Sequence, residues 1–222
     1  PLKEGNASNS FLRISASHNS KLCLECHKNK KSVLGTDHDM SVTNPKVVNQ
    51  HGDNVKHSGV CGQCHSAHNA KMELNLWARE PAKVASAVEK MCLSCHAKGK
   101  VAESKVPPKL QHPDHVLVWL NKVREKRITG NHLPNIPVFA KNGKQAHIGV
   151  ISCLSCHDPH QWQPGINKRG NGKEREGDAM NSFLRNKNSE LIICADCHGS
   201  DAIFRYKYFH GETSRKKYPL YQ

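Results

Sequence analysis

Cys61-Gly62-Gln63-Cys64-His65 is one copy of the sequence pattern that decides how this chain folds. The pattern Cys-x-x-Cys-His occurs five times in the 222 residues, and its five copies contain all ten cysteines. Zinc ribbons need two Cys-x-x-Cys pairs converging on one ion, and a thioredoxin-like site needs one pair in a βαβ unit, so neither explains a histidine after every pair. Disulfides within the pairs would close short, strained loops. The pattern instead predicts covalent attachment of c-type haem.

The spacing of the motif fits the chemistry of that attachment. Two thiols three positions apart can form thioethers to the two vinyl-derived carbons on one edge of a haem, and the next histidine is then held beneath the iron as its proximal ligand. We therefore predict five covalently bound haem c groups. The predicted thioether residues are Cys23, Cys26, Cys61, Cys64, Cys92, Cys95, Cys153, Cys156, Cys194 and Cys197. The predicted proximal ligands are His27, His65, His96, His157 and His198.

Eleven of the 16 histidines remain as possible distal ligands on the second face of each haem. His68 and His160 each follow a proximal histidine by three residues. Each therefore lies only about 5 to 6 Å from that histidine and cannot reach round the haem to the opposite face of the same iron. Each must serve a different haem if it is a ligand. A histidine also follows each other motif by 11 to 16 residues. The distal candidates are thus His38, His68, His112, His160 and His210.

Other side chains compete for the distal positions. His57 and His147 are the chief rivals because both stand in a His-x-Gly-Val sequence just before a motif. Methionine is another common sixth ligand, but the four methionines show no regular placement, so packing explains them better. They are Met40, Met72, Met91 and Met180.

The motifs alternate between two types along the chain. Type A continues as Cys-His-x-x-His and occurs at Cys61–His65 and Cys153–His157, and the other three motifs are type B. A pentapeptide with Asn first, an aromatic third and Arg fifth stands before each type B motif, at residues 9–13, 75–79 and 181–185. This alternation predicts a half-repeat with haem 1 in residues 1–55 and paired-motif units in residues 56–130 and 131–222. The first half-repeat has no type A half before it, which favours an upstream half that is cleaved, absent or supplied by another subunit.

Composition favours a fold built around the cofactors. Only 36% of the residues are hydrophobic and 5% aromatic, so an ordinary core would be thin, and about 44 residues per haem suffice if the flat apolar macrocycles fill the interior. We predict a mostly irregular fold with a few short α-helices, a haem-packed core and little or no β-sheet. Helical spacing of apolar residues predicts helices from Pro81 to Ala97 and from Asp114 to Arg127. Residues 164–178 are rich in Gly, Asn, Lys and Arg and predict a loop.

The chain is basic, with 33 Lys and Arg against 19 Asp and Glu. Two propionates on each haem would reduce the formal charge from +14 to roughly +4 in the reduced protein, and one positive charge on each ferric iron makes it roughly +9 in the oxidised protein. The excess is therefore mostly internal compensation, with some surface lysines left to steer an acidic redox partner, and nucleic acid is not expected as a partner. The sequence contains neither an apolar run long enough to span a membrane nor a signal peptide, so we expect it to start after a cleaved leader or within a longer protein.

The chain resembles the multihaem cytochromes with doubled Cys-x-x-Cys-His motifs, in which a Cys-His-x-x-His half is followed by a Leu-Cys-x-x-Cys-His half. The resemblance runs from Asn9 to His210, with Cys153–His160 and Leu191–His198 closest to the pattern. It implies bis-histidine haems in stacked pairs and export to the periplasm or the cell exterior. It also implies roles in anaerobic respiration or extracellular electron transfer, in some relatives as polymeric cytochrome filaments.

These observations predict an electron carrier, not an enzyme. The expected partners are redox proteins or an extracellular electron acceptor, and a homo-oligomer or filament could donate a ligand such as His18 across a subunit boundary. The alternative is a multihaem reductase with one open haem iron. All five motifs end in histidine and spare ligands are abundant, so the electron conduit explains the sequence better.

Overall fold

The computed structural model describes residues 12–105, 117–120, 136–161 and 183–185. Packing divides the chain into two units. Unit 1 comprises Pro1–Ala82 with Pro159–Phe183, and unit 2 comprises Lys83–Asp158 with Leu184–Gln222. The three-part division after residues 55 and 130 stays a prediction.

Short helices joined by irregular segments form most of the described structure, in agreement with the predicted fold class. The α-helices are α1 (Lys21–Cys26), α2 (Met40–Thr43), α3 (Val55–Ser58), α4 (Ala87–Cys92) and α5 (Cys153–Cys156). The 3-10 helices are His18–Ser20, Lys28–Val33, Cys61–Gln63, Leu74–Leu76 and Glu103–Lys105. Side-chain caps start several of them: Asp39 accepts from the Ser41 amide at 2.9 Å and Asn54 from the Lys56 amide at 3.1 Å. Such caps satisfy amides that have no partner inside the helix.

Helix α4 is shorter than the predicted helix from Pro81 to Ala97. It begins at Ala87 because Ser86 is an extended N-cap whose hydroxyl accepts from the Glu89 amide at 3.3 Å. It ends at Cys92, where the chain tightens into the turn of the third motif. Val88 and Met91 on its inner face are buried, as the helical spacing predicts.

A small antiparallel sheet corrects the expectation of little or no β-structure. Its strands are β1 (Leu117–Trp119), β2 (Val138–Phe139), β3 (Gln145–Ala146) and β4 (Ile148–Val150), in the order β1-β4-β2-β3. The close approach of β4 to β2 requires glycine at position 149, because a Cβ there would lie 2.6 Å from the Phe139 carbonyl oxygen.

The predicted helix from Asp114 to Arg127 is wrong at Leu117–Trp119, which is strand β1 and pairs with β4, whereas the adjoining Leu120 is helical. An apolar run this short suits either conformation, and the tertiary partner decides between them. The rest of that segment, and the predicted loop at residues 164–178, lie outside the described residues.

Each unit has a small apolar core. In unit 1, Met40, Val55 and Val60 form it, with Val33, Leu34 and Val47 packed against them. In unit 2 the buried apolar side chains include Val88, Met91, Ile136 and Val138. Met40 and Met91 are therefore packing residues, as expected. None of the described helices is long and apolar enough to cross a membrane.

Candidate haem-binding site

Four of the five Cys-x-x-Cys-His motifs lie in described residues, and all four adopt the same closed turn. In each, the histidine amide donates to the carbonyl of the first cysteine at 2.9 Å, which puts the two thiols about one helical turn apart. The four pairs are His27 with Cys23, His65 with Cys61, His96 with Cys92 and His157 with Cys153. The turn is local, so it recurs whether the motif lies in an α-helix or a 3-10 helix.

Three motifs are also held by a segment that follows them in the chain. A backbone amide of that segment donates to the carbonyl of the second cysteine, and the distances are 2.9 to 3.0 Å. The donors are Ala78 for Cys64, Ala102 for Cys95 and Arg185 for Cys156. A motif fixed on both sides presents its thiols and its histidine in one orientation.

The ring of His65 is oriented by a backbone hydrogen bond. Its Nδ1 donates to the carbonyl of Asn75 at 2.6 Å, which leaves the lone pair on Nε2 for a metal. Burial lowers the pKa of His65, and nearby His160 and His27 lower it further, so the ring is neutral and able to bind a metal. His96 follows the same pattern, with a hydrogen bond to the backbone of Lys105 and a pKa lowered first by burial.

His65 lies beside His160 in unit 1. Their ring centres are 5.9 Å apart and the ring planes differ by 20°. Two imidazoles that each bind one metal ion through a nitrogen, about 2 Å from it, have centres roughly 6 Å apart. The separation of His65 and His160 therefore suits a pair of axial ligands on one iron.

Thiols of different motifs also meet within each unit. In unit 1, Cys23 donates to Cys61, and this hydrogen bond lowers the pKa of the Cys61 thiol to about 6 while raising that of Cys23. In unit 2, a hydrogen bond with Cys153 raises the pKa of Cys92, with burial adding to the effect. The attachment edges of motifs 1 and 2 are thus adjacent, as are those of motifs 3 and 4.

One comparison with known proteins gave a match. Residues 51–101 match the family model of the doubled CXXCH motif, and this segment contains the complete motifs Cys61–His65 and Cys92–His96. The match supports a multihaem c-type cytochrome. Such a protein binds haem c covalently and takes part in electron transfer, as a carrier. No significant match was found to a curated protein or to a solved structure.

The residues present fit this cofactor. Among the described residues there is no group of three or more His, Cys, Asp or Glu side chains that could hold a bare metal ion. A haem iron needs only two axial ligands from the protein, since the porphyrin supplies the other four. The cysteine turn would supply both thiols, and His65 and His160 would supply two such ligands.

The other distal candidates lie in different settings. The ring of His38 contacts that of Phe183, with centres 4.3 Å apart, and His68 is exposed. The rivals His57 and His147 are exposed as well, the first in α3 and the second between β3 and β4. The fifth motif (Cys194, Cys197 and His198) and the candidates His112 and His210 lie outside the described residues.

A buried polar residue before the second cysteine escaped the sequence analysis. Gln63 and Ser155 are completely buried and Ser94 is 9% exposed, whereas Glu25 at the same place in motif 1 is exposed. Gln63 Nε2 donates to the Asp53 carbonyl at 2.9 Å and to Ser58 Oγ at 2.7 Å. The available signal was that a polar, hydrogen-bonding residue precedes the second cysteine in all five motifs.

Proposed function

We propose that this chain is a five-haem electron conduit in which closely spaced bis-histidine haems pass electrons between partners. The observation that carries the proposal is the pairing of His65 with His160, because the 5.9 Å between their ring centres suits two imidazoles on opposite sides of one six-coordinate iron. When haem is bound, each iron takes up and gives back one electron, and the chain sets how easily this occurs.

In this proposal, His65 and His160 are the axial ligands at the motif Cys61–Cys64. His160 stands three residues after His157, the proximal ligand predicted for motif 4. One short peptide then supplies ligands to two haems, which keeps the two irons close. This is the arrangement that a conduit requires.

The proximal histidines set the potential through their hydrogen bonds. A bond from Nδ1 to a backbone carbonyl, such as that from His65 to Asn75, makes the opposite nitrogen a stronger donor to iron. Stronger donation favours the ferric state, and bis-histidine ligation keeps the potential lower than histidine–methionine ligation would. The thiol contacts between motifs 1 and 2, and between motifs 3 and 4, favour short steps within those pairs.

The proposal also covers the distal ligands, the division of the chain into three units and the biological setting. The distal set is His38, His68, His112, His160 and His210, one for each haem, in the half-repeat and two paired-motif units outlined by the sequence. The setting is anaerobic respiration or extracellular electron transfer, in the periplasm or outside the cell. A redox protein or an extracellular acceptor is the partner, and assembly into a filament would extend the conduit.

The test is the haem content of the purified protein together with the absorption and electron paramagnetic resonance (EPR) spectra of its oxidised form. Five haems per chain, all low-spin, are expected for six-coordinate irons. A high-spin signal from about one iron in five would instead indicate an open coordination site, and the chain would then resemble the reductase alternative. Fewer than five haems would contradict the count.

A matched pair of variants tests the axial assignment. His160→Ala should convert about one iron in five to high-spin, because the imidazole facing His65 is lost. His147→Ala is the control, since His147 is an exposed rival, and its spectrum should stay low-spin. The reverse result would assign the ligand to His147.

A further inference from the structure

The Asn-x-aromatic-x-Arg pentapeptide occurs three times in the chain, at residues 9–13, 75–79 and 181–185. Two of its three copies, at residues 75–79 and 181–185, follow a type A motif in the chain as well as preceding a type B motif. The structure describes all of the copy at 75–79 and residues 183–185 of the other. Both contact the type A motif that comes before them.

The arginine of the first of these copies holds the turn of the motif Cys61–His65. Arg79 Nη1 donates to the Gln63 carbonyl at 3.1 Å and lies 3.5 Å from Gln63 Oε1. The neighbouring Ala78, which is completely buried, donates its amide to the Cys64 carbonyl. One nitrogen of the planar guanidinium therefore faces both oxygens of Gln63.

The asparagine and the aromatic residue hold the histidine of the same motif. Asn75 has φ 57°, a left-handed conformation that asparagine tolerates better than most residues, and its carbonyl accepts from His65 Nδ1. The Trp77 ring stands edge-on to the His65 ring, with centres 6.4 Å apart and planes at 84°. The pentapeptide thus contacts both the cysteine turn and the histidine ring.

The other copy repeats the arginine contact in unit 2. The Arg185 amide donates to the Cys156 carbonyl at 2.9 Å, and its guanidinium Nε donates to the Leu154 carbonyl. The same guanidinium lies 3.5 Å from the buried carboxylate of Asp158, so it is held in place from two sides. The accepting carbonyl belongs to the third residue of the motif for Arg79 and to the second residue for Arg185. In both copies, however, it lies between the two cysteines.

We propose that this pentapeptide positions the haem-binding motif before it, with Asn75, Trp77 and Arg79 acting on His65 and Arg185 acting on the motif of His157. The inference rests on the proposed function, since it assigns positioning residues to two of the haem sites. Asparagine is needed for its left-handed backbone, and arginine for its planar guanidinium. The aromatic ring limits the rotation of the histidine.

The test compares Arg79→Gln with Lys71→Gln in the haem-loaded protein. Lys71 lies in the same segment and its ammonium pairs with the exposed carboxylate of Glu80, so Lys71→Gln removes one positive charge from an exposed ion pair. Arg79→Gln should speed hydrogen exchange at the amides of residues 64–66 and 78 by about tenfold, as expected when a hydrogen bond from a charged group is lost. It should also shift the EPR g-values of one haem in five, because these depend on the orientation of the axial imidazoles. Lys71→Gln should change neither.

The outcomes separate this inference from the proposed function. Wild-type exchange and wild-type g-values in Arg79→Gln would overturn the positioning role, whereas a wild-type protein without covalent haem would overturn the proposed function itself. Faster exchange over the whole chain, with unchanged g-values, would show a merely structural role and also overturn the inference. If Arg79→Gln fails to accumulate, Arg79→Lys replaces it. A lysine ammonium is a point charge on a flexible stem and lacks the planar group that directs Nη1 at Gln63, so faster exchange confined to this motif is expected, and wild-type exchange would refute the positioning role.

Discussion

Replacing Gln63 by alanine should destabilise the protein far more than the same change at an exposed position of another motif. The Gln63 side chain is completely buried between the two cysteines of its motif. Its amide nitrogen bonds the Asp53 carbonyl and Ser58 Oγ, and its oxygen lies near Arg79. The side chain therefore ties the haem-binding turn to the segment that leads into it.

The magnitude follows from these contacts. Two neutral hydrogen bonds contribute about 1 kcal/mol each. Their partners are not left bare, because the Asp53 carbonyl still accepts from the Asn49 amide and Ser58 Oγ still donates to the Asn54 carbonyl. Removing the buried side-chain atoms adds about 1 kcal/mol through the cavity left behind. The expected loss in the free energy of unfolding is about 2 to 3 kcal/mol, or a fall in Tm of about 5 to 10 °C for a chain of this length.

Thermal unfolding followed by far-ultraviolet circular dichroism measures this loss, after mass spectrometry has shown equal haem content in each protein. Glu25→Ala is the matched control, because Glu25 holds the same place in motif 1 but is exposed. Its effect should stay below about 0.5 kcal/mol. Equal Tm values for Gln63→Ala and wild type would refute the argument from burial, and an equal loss in both variants would refute the role assigned to the contacts of Gln63.

Two further predictions concern unit 2. Gly149→Ala should lower the free energy of unfolding by roughly 1 to 3 kcal/mol, because the new Cβ would press on the facing backbone of β2. Ile148→Ala, at the exposed neighbouring position, should lower it much less. Comparable losses for the two variants in chemical denaturation would contradict the close approach at Gly149. Asp158→Asn should lower the free energy of unfolding several times more than Glu80→Gln in the same assay, because Asp158 is buried beside Arg185 whereas Glu80 is in an exposed ion pair. A larger loss in Glu80→Gln would contradict this prediction.

The haem-binding motifs could be found in the sequence because their geometry is local. The bond from the His65 amide to the Cys61 carbonyl closes within five residues, and the same closure recurs in every described motif. The short helices also follow from local signals, although their ends do not. The Ser86 cap shortened α4, and this signal lies in the sequence too.

The β-structure was decided by tertiary contacts. Val116, Leu117 and Leu120 would share one face of a helix, yet Leu117–Trp119 pairs with β4, a strand some thirty residues further along the chain. Periodicity over three residues cannot separate the two conformations. The backbone hydrogen bonds offered by β4 favour the strand.

The sequence by itself determined the predicted chemistry of this protein: the cysteines expected to attach each haem, the histidine expected beneath each iron and the small apolar side-chain core. Only the tertiary structure decided which groups share a site. It brought His160 to His65, the Asn75 carbonyl to the His65 ring and Arg79 to the turn that carries Gln63. The physical reason is that the attachment motif depends on bonds within one turn of chain, whereas an axial pair and its supporting hydrogen bonds join residues that only folding brings together.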